Sequence, residues 1–212
     1  MPAPALEAQD VSMRRCGRSL VQRVSITADR GELLVLCGPE GSGTRTLLHL
    51  LSGHLQSDAG RVLVDGRERS SRRRSVLIDA RRPDPRHLAY GPEESTALLT
   101  TPGDATARSS PPVLLLERPT VGLDADECDT LLVAARRRAD EGCAVVLTAD
   151  APDDVVAHAT TVALFVAGRL LSWGAPPVAL VPALHILGAG GMVPSELFDR
   201  AGQAGSIITS ST

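Results

Sequence analysis

The chain has no lysine: all 22 of its basic residues are arginine. A bias against lysine of this kind would ordinarily leave arginine wherever a cation is needed. Aromatic residues are nearly as scarce, with one Tyr, one Trp and two Phe, too few for the stacking platforms on which single-stranded nucleic-acid binders rely. The formal net charge of -3 gives no overall pull toward nucleic acid or an anionic membrane, so no nucleic-acid partner is expected. Four cysteines, Cys16, Cys37, Cys128 and Cys143, lie far apart and form no C-x-x-C pair. That spacing argues against a zinc site or a disulfide framework and predicts reduced, mostly buried thiols. The N-terminal MPAPALEAQD has no basic-then-apolar layout, which speaks against a secretory signal and for a cytoplasmic location. Leu170 to Ser195 has no Asp, Glu, Lys or Arg, and its length alone would fit a membrane span. Pro176, Pro177, Pro182, Pro194 and several glycines interrupt it, so a short helix over Val178 to Leu187 is expected instead.

At 212 residues, 43% hydrophobic and 22% charged, the chain has the composition of a folded domain with an ordinary core. Three apolar runs bounded by turn residues read as buried strands: Glu32 to Cys37, Val113 to Leu116 and Ala144 to Thr148. Helices are expected over Thr44 to Leu55 and over Asp126 to Glu141. The second places leucines and alanines inward and Arg136, Arg137 and Arg138 near its C-terminus, where cations suit the helix dipole. Strand, helix, strand in this order implies a parallel sheet with covering helices. LEAQDVSM with QRVSITA, and TVALFVAGRLLSWG with its AGR turn, read as flanking strand pairs. From Asp65 to Pro112 the pattern gives way to arginine, proline and small polar residues. This stretch reads as loop-rich, and its arginines read first as a solvated surface and second as a patch for phosphate, acidic protein or anionic lipid.

GPEGSGTRT, Gly38 to Thr46, follows the first buried run and precedes the apolar LLHLL. Its glycines have the spacing of a phosphate-binding loop, G-x-x-x-x-G-K-[ST], but Thr44 and Arg45 stand where lysine and the hydroxyl belong. Backbone N–H groups of Gly38, Gly41, Ser42 and Gly43 can still cradle an anion at a helix N-terminus. Thr44 is too short to bring charge to it. A loop one residue longer would let Arg45 and Thr46 act as lysine and hydroxyl.

In its order of segments the sequence resembles an ATP-binding cassette (ABC), the nucleotide-binding domain of ABC transporters within the P-loop NTPase superfamily. GRSLVQRVSITADRGELLVLCGPEGSG resembles the opening strands that lead into the loop. AGRVLVDGR resembles the strand and turn after the loop helix, VLLLERPTVGLDAD the Walker B strand with its P-T-x-G-L-D turn, and TTVALFVAGRLLSWGAP the closing hairpin. The resemblance covers about residues 5–65 and 111–176.

The resemblance implies an α/β fold with a mostly parallel sheet, flanking helices and an antiparallel β subdomain. The helical subdomain is reduced or missing, because the interval from Thr44 to Glu117 is short and contains no LSGGQ signature. A cassette-like domain would then span residues 1–176, with 65–112 as the helical-subdomain remnant, one short helix near Glu93 to Thr100, and 177–212 as a C-terminal extension. The nucleotide-binding positions become Gly38, Pro39, Glu40, Gly41, Ser42, Gly43, Thr44, Arg45 and Thr46. Glu117 matches the Walker B aspartate, and Arg118 matches the glutamate that polarises the attacking water. Asp124 matches the D-loop aspartate, Ala149 the switch histidine, Cys16 the adenine-stacking aromatic and Ala80 the Q-loop glutamine.

An arginine cannot act as a general base, so no catalytic residue is assigned. ATP is the implied ligand, weakly held, and Mg would have only Thr46 and Glu117. Implied partners are a second ABC subunit and a transmembrane permease, placing the chain at the inner face of the plasma membrane. Three functional readings stand open: a catalytically impaired structural or regulatory subunit, an active ATPase with atypical residues, and a non-hydrolysing nucleotide or phosphate sensor.

Overall fold

The computed structural model describes residues 3–68, 75–79 (backbone only), 113–150, 155–176 and 179. Strands β1 (Leu6–Arg15), β2 (Arg18–Ala28), β4 (Ala59–Val64) and β5 (Arg67–Glu68) form an antiparallel sheet in the order β2-β1-β4-β5. The second sheet contains β3 (Leu33–Cys37), β6 (Ser75–Asp79), β7 (Val113–Glu117), β8 (Ala144–Ala149), β9 (Thr161–Val166) and β10 (Arg169–Gly174), in the order β10-β9-β3-β8-β7-β6. All of its neighbours are parallel except the closing hairpin β9-β10. Helices α1 (Thr44–Ser52) and α2 (Ala125–Asp140) complete the described elements. The α/β architecture, with a mostly parallel sheet and an antiparallel β subdomain, is as expected.

β3, β7 and β8 are buried along their whole length, which explains why they read as continuous apolar runs. Their side chains still alternate between two cores. Leu34 and Leu36 join Leu47, Leu48 and Leu51 of α1 and the inner face of the antiparallel sheet, including Val11, Val24 and Ile26. Leu33, Val35 and Cys37 point the other way, into a core with Leu131, Leu132 and Ala135 of α2. Each fully buried leucine adds about 1.5–3 kcal/mol relative to exposure, so these two layers set the height at which β3 and β7 end.

Three tight hairpins share one turn chemistry. Cys16-Gly17, Asp65-Gly66 and Ala167-Gly168 each place both central residues at positive φ, the type I′ geometry that suits twisted antiparallel strands. Cys16 is consequently exposed, and only Cys37 and Cys143 are fully buried, so the expectation of mostly buried thiols holds for half of them. None of the four is in a disulfide.

Several boundaries differ from expectation. α1 ends at Ser52 rather than Leu55, because Gly53 turns left-handed at φ 73 and its N–H caps Leu50 O. β6 lies within the stretch read as loop-rich and pairs in parallel with β7 at the sheet edge. Its five residues, SVLID, are too short and too closely flanked by arginines for the pattern to mark them. Leu170 to Gly174 belong to β10, and no helix among the described residues is long and apolar enough to cross a membrane. Of the helix expected at 178–187 only Ala179 is described; it is helical and buried, and its N–H donates to Ala175 O at 2.9 Å. The helix expected at 93–100, Ala80 and most of the arginine-rich segment lie outside the described residues.

Candidate functional site

β3 delivers the chain into the loop, and α1 begins at Thr44 immediately after Gly43, with Leu47 N donating to Gly43 O at 2.9 Å. The loop is therefore not lengthened by a residue. Its shape is fixed by close backbone packing. A Cβ on Gly38 would lie 2.5 Å from Ser42 Oγ and 2.6 Å from Phe165 O. Gly43, at φ 99, would drive a Cβ into the Leu20 carbonyl oxygen. Gly168 N donates to Ser42 O at 2.7 Å, while Gly168 O accepts from Gln22 N at 2.8 Å. The loop is thus held between β2 and the β9-β10 turn. Gly41, at φ 82, has open space around it, Pro39 is half-buried and Glu40 is exposed.

Of the four N–H groups expected to cradle an anion, that of Gly38 goes to Ala149 O and that of Ser42 to Pro39 O at 2.9 Å, so the cradle is narrower than expected. The N–H groups of Gly41 and Gly43, with those of the first turn of α1, which have no carbonyl partner in their own helix, are the ones that fit a phosphate. The side chains around it differ from the expected set. Thr44 is buried, its Oγ1 3.4 Å from Ser42 Oγ, so the residue in the lysine position bonds within the loop. Arg45 reaches across to the end of β7, where its Nε lies 2.6 Å from Glu117 Oε1. His49, one turn further along α1, places Nε2 2.8 Å from Glu117 Oε2. Glu117 is 2% exposed, and both of its oxygens are engaged by α1. His49 was not singled out in the sequence. The signal was available, since residues 45 and 49 stand i, i+4 on one helix face.

Arg118 follows at φ 46, in the left-handed region that a non-glycine residue seldom adopts. Its N–H donates to Thr148 Oγ1 at 2.9 Å. Its guanidinium forms an ion pair with Asp150, which comes directly after Ala149 at the end of β8. Arg118 Nε is buried and makes no hydrogen bond among the described residues. Ala149 is buried, and its carbonyl accepts Gly38 N–H at 3.3 Å, so the switch position contributes backbone rather than side chain. Asp124 caps α2: its Oδ1 accepts from Glu127 N at 2.9 Å, and Glu127 Oε2 accepts from Asp124 N at 3.0 Å. This capping box satisfies two N–H groups at once.

The donor set does not suit magnesium. One of the two candidate ligands, Glu117, is bound by a permanent cation, and the other, Thr46, is half-buried on α1. Among the described residues, no group of three or more His, Cys, Asp or Glu is placed to hold a metal ion. Cys16, near which the sequence led us to expect an adenine-stacking group, is exposed in the β1-β2 turn and brings no ring.

Loop, buried strand end and closing hairpin together define a P-loop nucleotide-binding fold, and a comparison with known families makes it specific. The chain belongs to the ABC transporter family, whose model matches residues 21–147. It is similar to the hemin import ATP-binding protein HmuV of Rhodopseudomonas palustris, 28% identical over 82% of this chain and 84% of that protein. That alignment runs over 225 positions, more than the 212 residues of the chain, so the relative carries segments with no counterpart here. The intermembrane phospholipid transport system ATP-binding protein MlaF of Escherichia coli is 35% identical over a shorter stretch, 38% of this chain and 30% of that protein. Among solved structures, the ATP-binding subunit of an ABC transporter superposes with a TM-score of 0.67 at 19% identity, covering 93% of this chain and 99% of that one. An ATP-binding cassette of an ABC transporter in its ADP conformation gives 0.71 at 13% identity, again over 93% and 99%. The fold is therefore that of an ABC ATPase, a family that binds ATP, usually with magnesium.

Proposed function

We propose that the chain is the ATP-binding-type subunit of a membrane transport complex that holds nucleotide in its loop without hydrolysing it, in a structural or regulatory role. The observation that carries this reading is the ion pair between Arg118 and Asp150. At the end of β7, where hydrolysis needs a carboxylate to take a proton from water, stands a guanidinium that stays charged at any working pH. Thr44 adds a second loss, since no charged side chain at its position reaches a phosphate. Losing one such group commonly costs a hydrolase several orders of magnitude in rate, and losses that act as a unit are not restored singly.

The named relatives support the transport context, because each is the ATP-binding protein of an import or transport system. A membrane permease and a second, complete cassette are the partners this implies, with the chain peripheral to the membrane. Residues 65–112, in place of a full helical subdomain, fit the extra length of the relative's alignment. The test is steady-state ATP hydrolysis by the purified chain, alone and assembled with a permease and second cassette. The expected result is no turnover by the chain alone, and no gain in Arg118→Glu. Robust turnover by the chain that Gly43→Asp abolishes would overturn the proposal.

A further inference from the structure

We propose that Arg45 does the work of the metal ion in this loop, so that the chain binds a phosphate-bearing anion without a divalent cation. The inference rests on the nucleotide-binding reading above and goes further by specifying the form of the ligand. Among the described residues Glu117 is the one buried carboxylate at the loop, and Arg45 and His49 occupy its two oxygens at 2.6 and 2.8 Å. A divalent ion could enter only by displacing a charge-assisted contact, from a cation tethered to the same helix. The hydroxyl that would have supplied the second ligand is replaced by Arg45 itself.

The arginine can also face the ligand. Its Nε is directed at Glu117 Oε1, and the side chain is 58% exposed at the second position of α1, beside the N–H groups of the cradle. The rest of the planar fork carries N–H donors in the geometry that pairs with phosphate oxygens. Arg45 thereby neutralises the carboxylate and presents positive charge to the anion, the two tasks a bound cation would perform. Because the charge is covalently attached, affinity becomes independent of magnesium.

Calorimetric titration of the full chain with ATP, ADP and inorganic phosphate, each with EDTA and with excess magnesium, tests this. The phosphate arm tells a bare anion site from a nucleotide site. Magnesium should leave the affinity of the wild type unimproved, and Arg45→Gln should weaken binding in EDTA by roughly tenfold or more. Arg45→Thr should bind more tightly when magnesium is added, because it restores a hydroxyl and releases Glu117. Arg45→Gln combined with Glu117→Gln removes the cation without leaving a buried charge, and it should show the same loss if the single variant folds poorly. Magnesium strengthening of wild-type binding by roughly threefold or more overturns the inference alone, as does unchanged affinity in Arg45→Gln. Silence toward all three ligands by folded protein overturns both this inference and the nucleotide-binding reading.

Discussion

His49 Nε2 lies 2.8 Å from Glu117 Oε2, joining the helix after the glycine loop to the strand that ends beneath it. With Arg45 on the other oxygen, the contact forms a three-residue polar cluster about a buried carboxylate. Such a cluster stabilises most when it is complete, because each partner lost leaves a buried charge less well compensated.

Arg45→Met should therefore destabilise more than its exposure alone would indicate, since it takes the guanidinium away from the buried Glu117 carboxylate. In a Glu117→Gln background the same change should cost much less. The double-mutant cycle, measured by urea denaturation, is expected to give a coupling of about 1–3 kcal/mol. A coupling near zero would show that the carboxylate is neutral or solvated without Arg45.

The glycines of the loop should separate by mechanism. Gly41→Ala meets open space and carries only the left-handed backbone penalty, about 1–2 kcal/mol. Gly43→Ala adds a collision with the Leu20 carbonyl and should exceed that by at least about 1 kcal/mol. Denaturation midpoints of the two variants side by side decide it, and equal losses would refute the packing account.

Asp124→Ala should cost about 1–2 kcal/mol of stability through loss of the cap on α2. Nucleotide affinity should not change with it. A loss of affinity at unchanged stability would move Asp124 from a structural role into the binding site.

Burial pushes the Cys143 thiol up to about 11 from an ordinary 9.0. The folded chain thus keeps a proton that the unfolded chain releases, so this group favours folding fully below pH 9. Its contribution declines as pH rises from there to about 11. Cys143→Ala should flatten the alkaline fall in stability over that interval. In thiol alkylation near pH 8, the exposed Cys16 should react well before Cys143.

How much of this the sequence revealed depended on what each feature rests on. β3, β7 and β8 were legible because strands buried on both faces are written as unbroken apolar runs. The closing hairpin was legible because Ala167-Gly168 is the chemistry a type I′ turn demands, whereas the turn at Cys16-Gly17 was not marked as one. β6 was not, since an edge strand of five residues gains its identity from its pairing with β7 rather than from a pattern of its own. At the site, the glycine loop, Thr44 after it, and Glu117 and Arg118 at the end of a buried strand could be read from the sequence as neighbouring positions. What Arg45 and Arg118 do there could not, because Glu117 and Asp150 reach them only through the parallel order of the sheet.

Leu20, Gly43 and Gly168 come from three remote parts of the chain, yet they meet backbone to backbone around the loop. None of these contacts uses the side chains of Thr44, Arg45 or Thr46. The backbone interlock is consequently set by main chain and glycine: a single methyl group at 43 would disturb it, whereas the side chains of Arg45 and Thr46 take no part in it. An interlock of this kind ties the shape of the loop to glycine and main chain, whatever chemistry the neighbouring side chains supply.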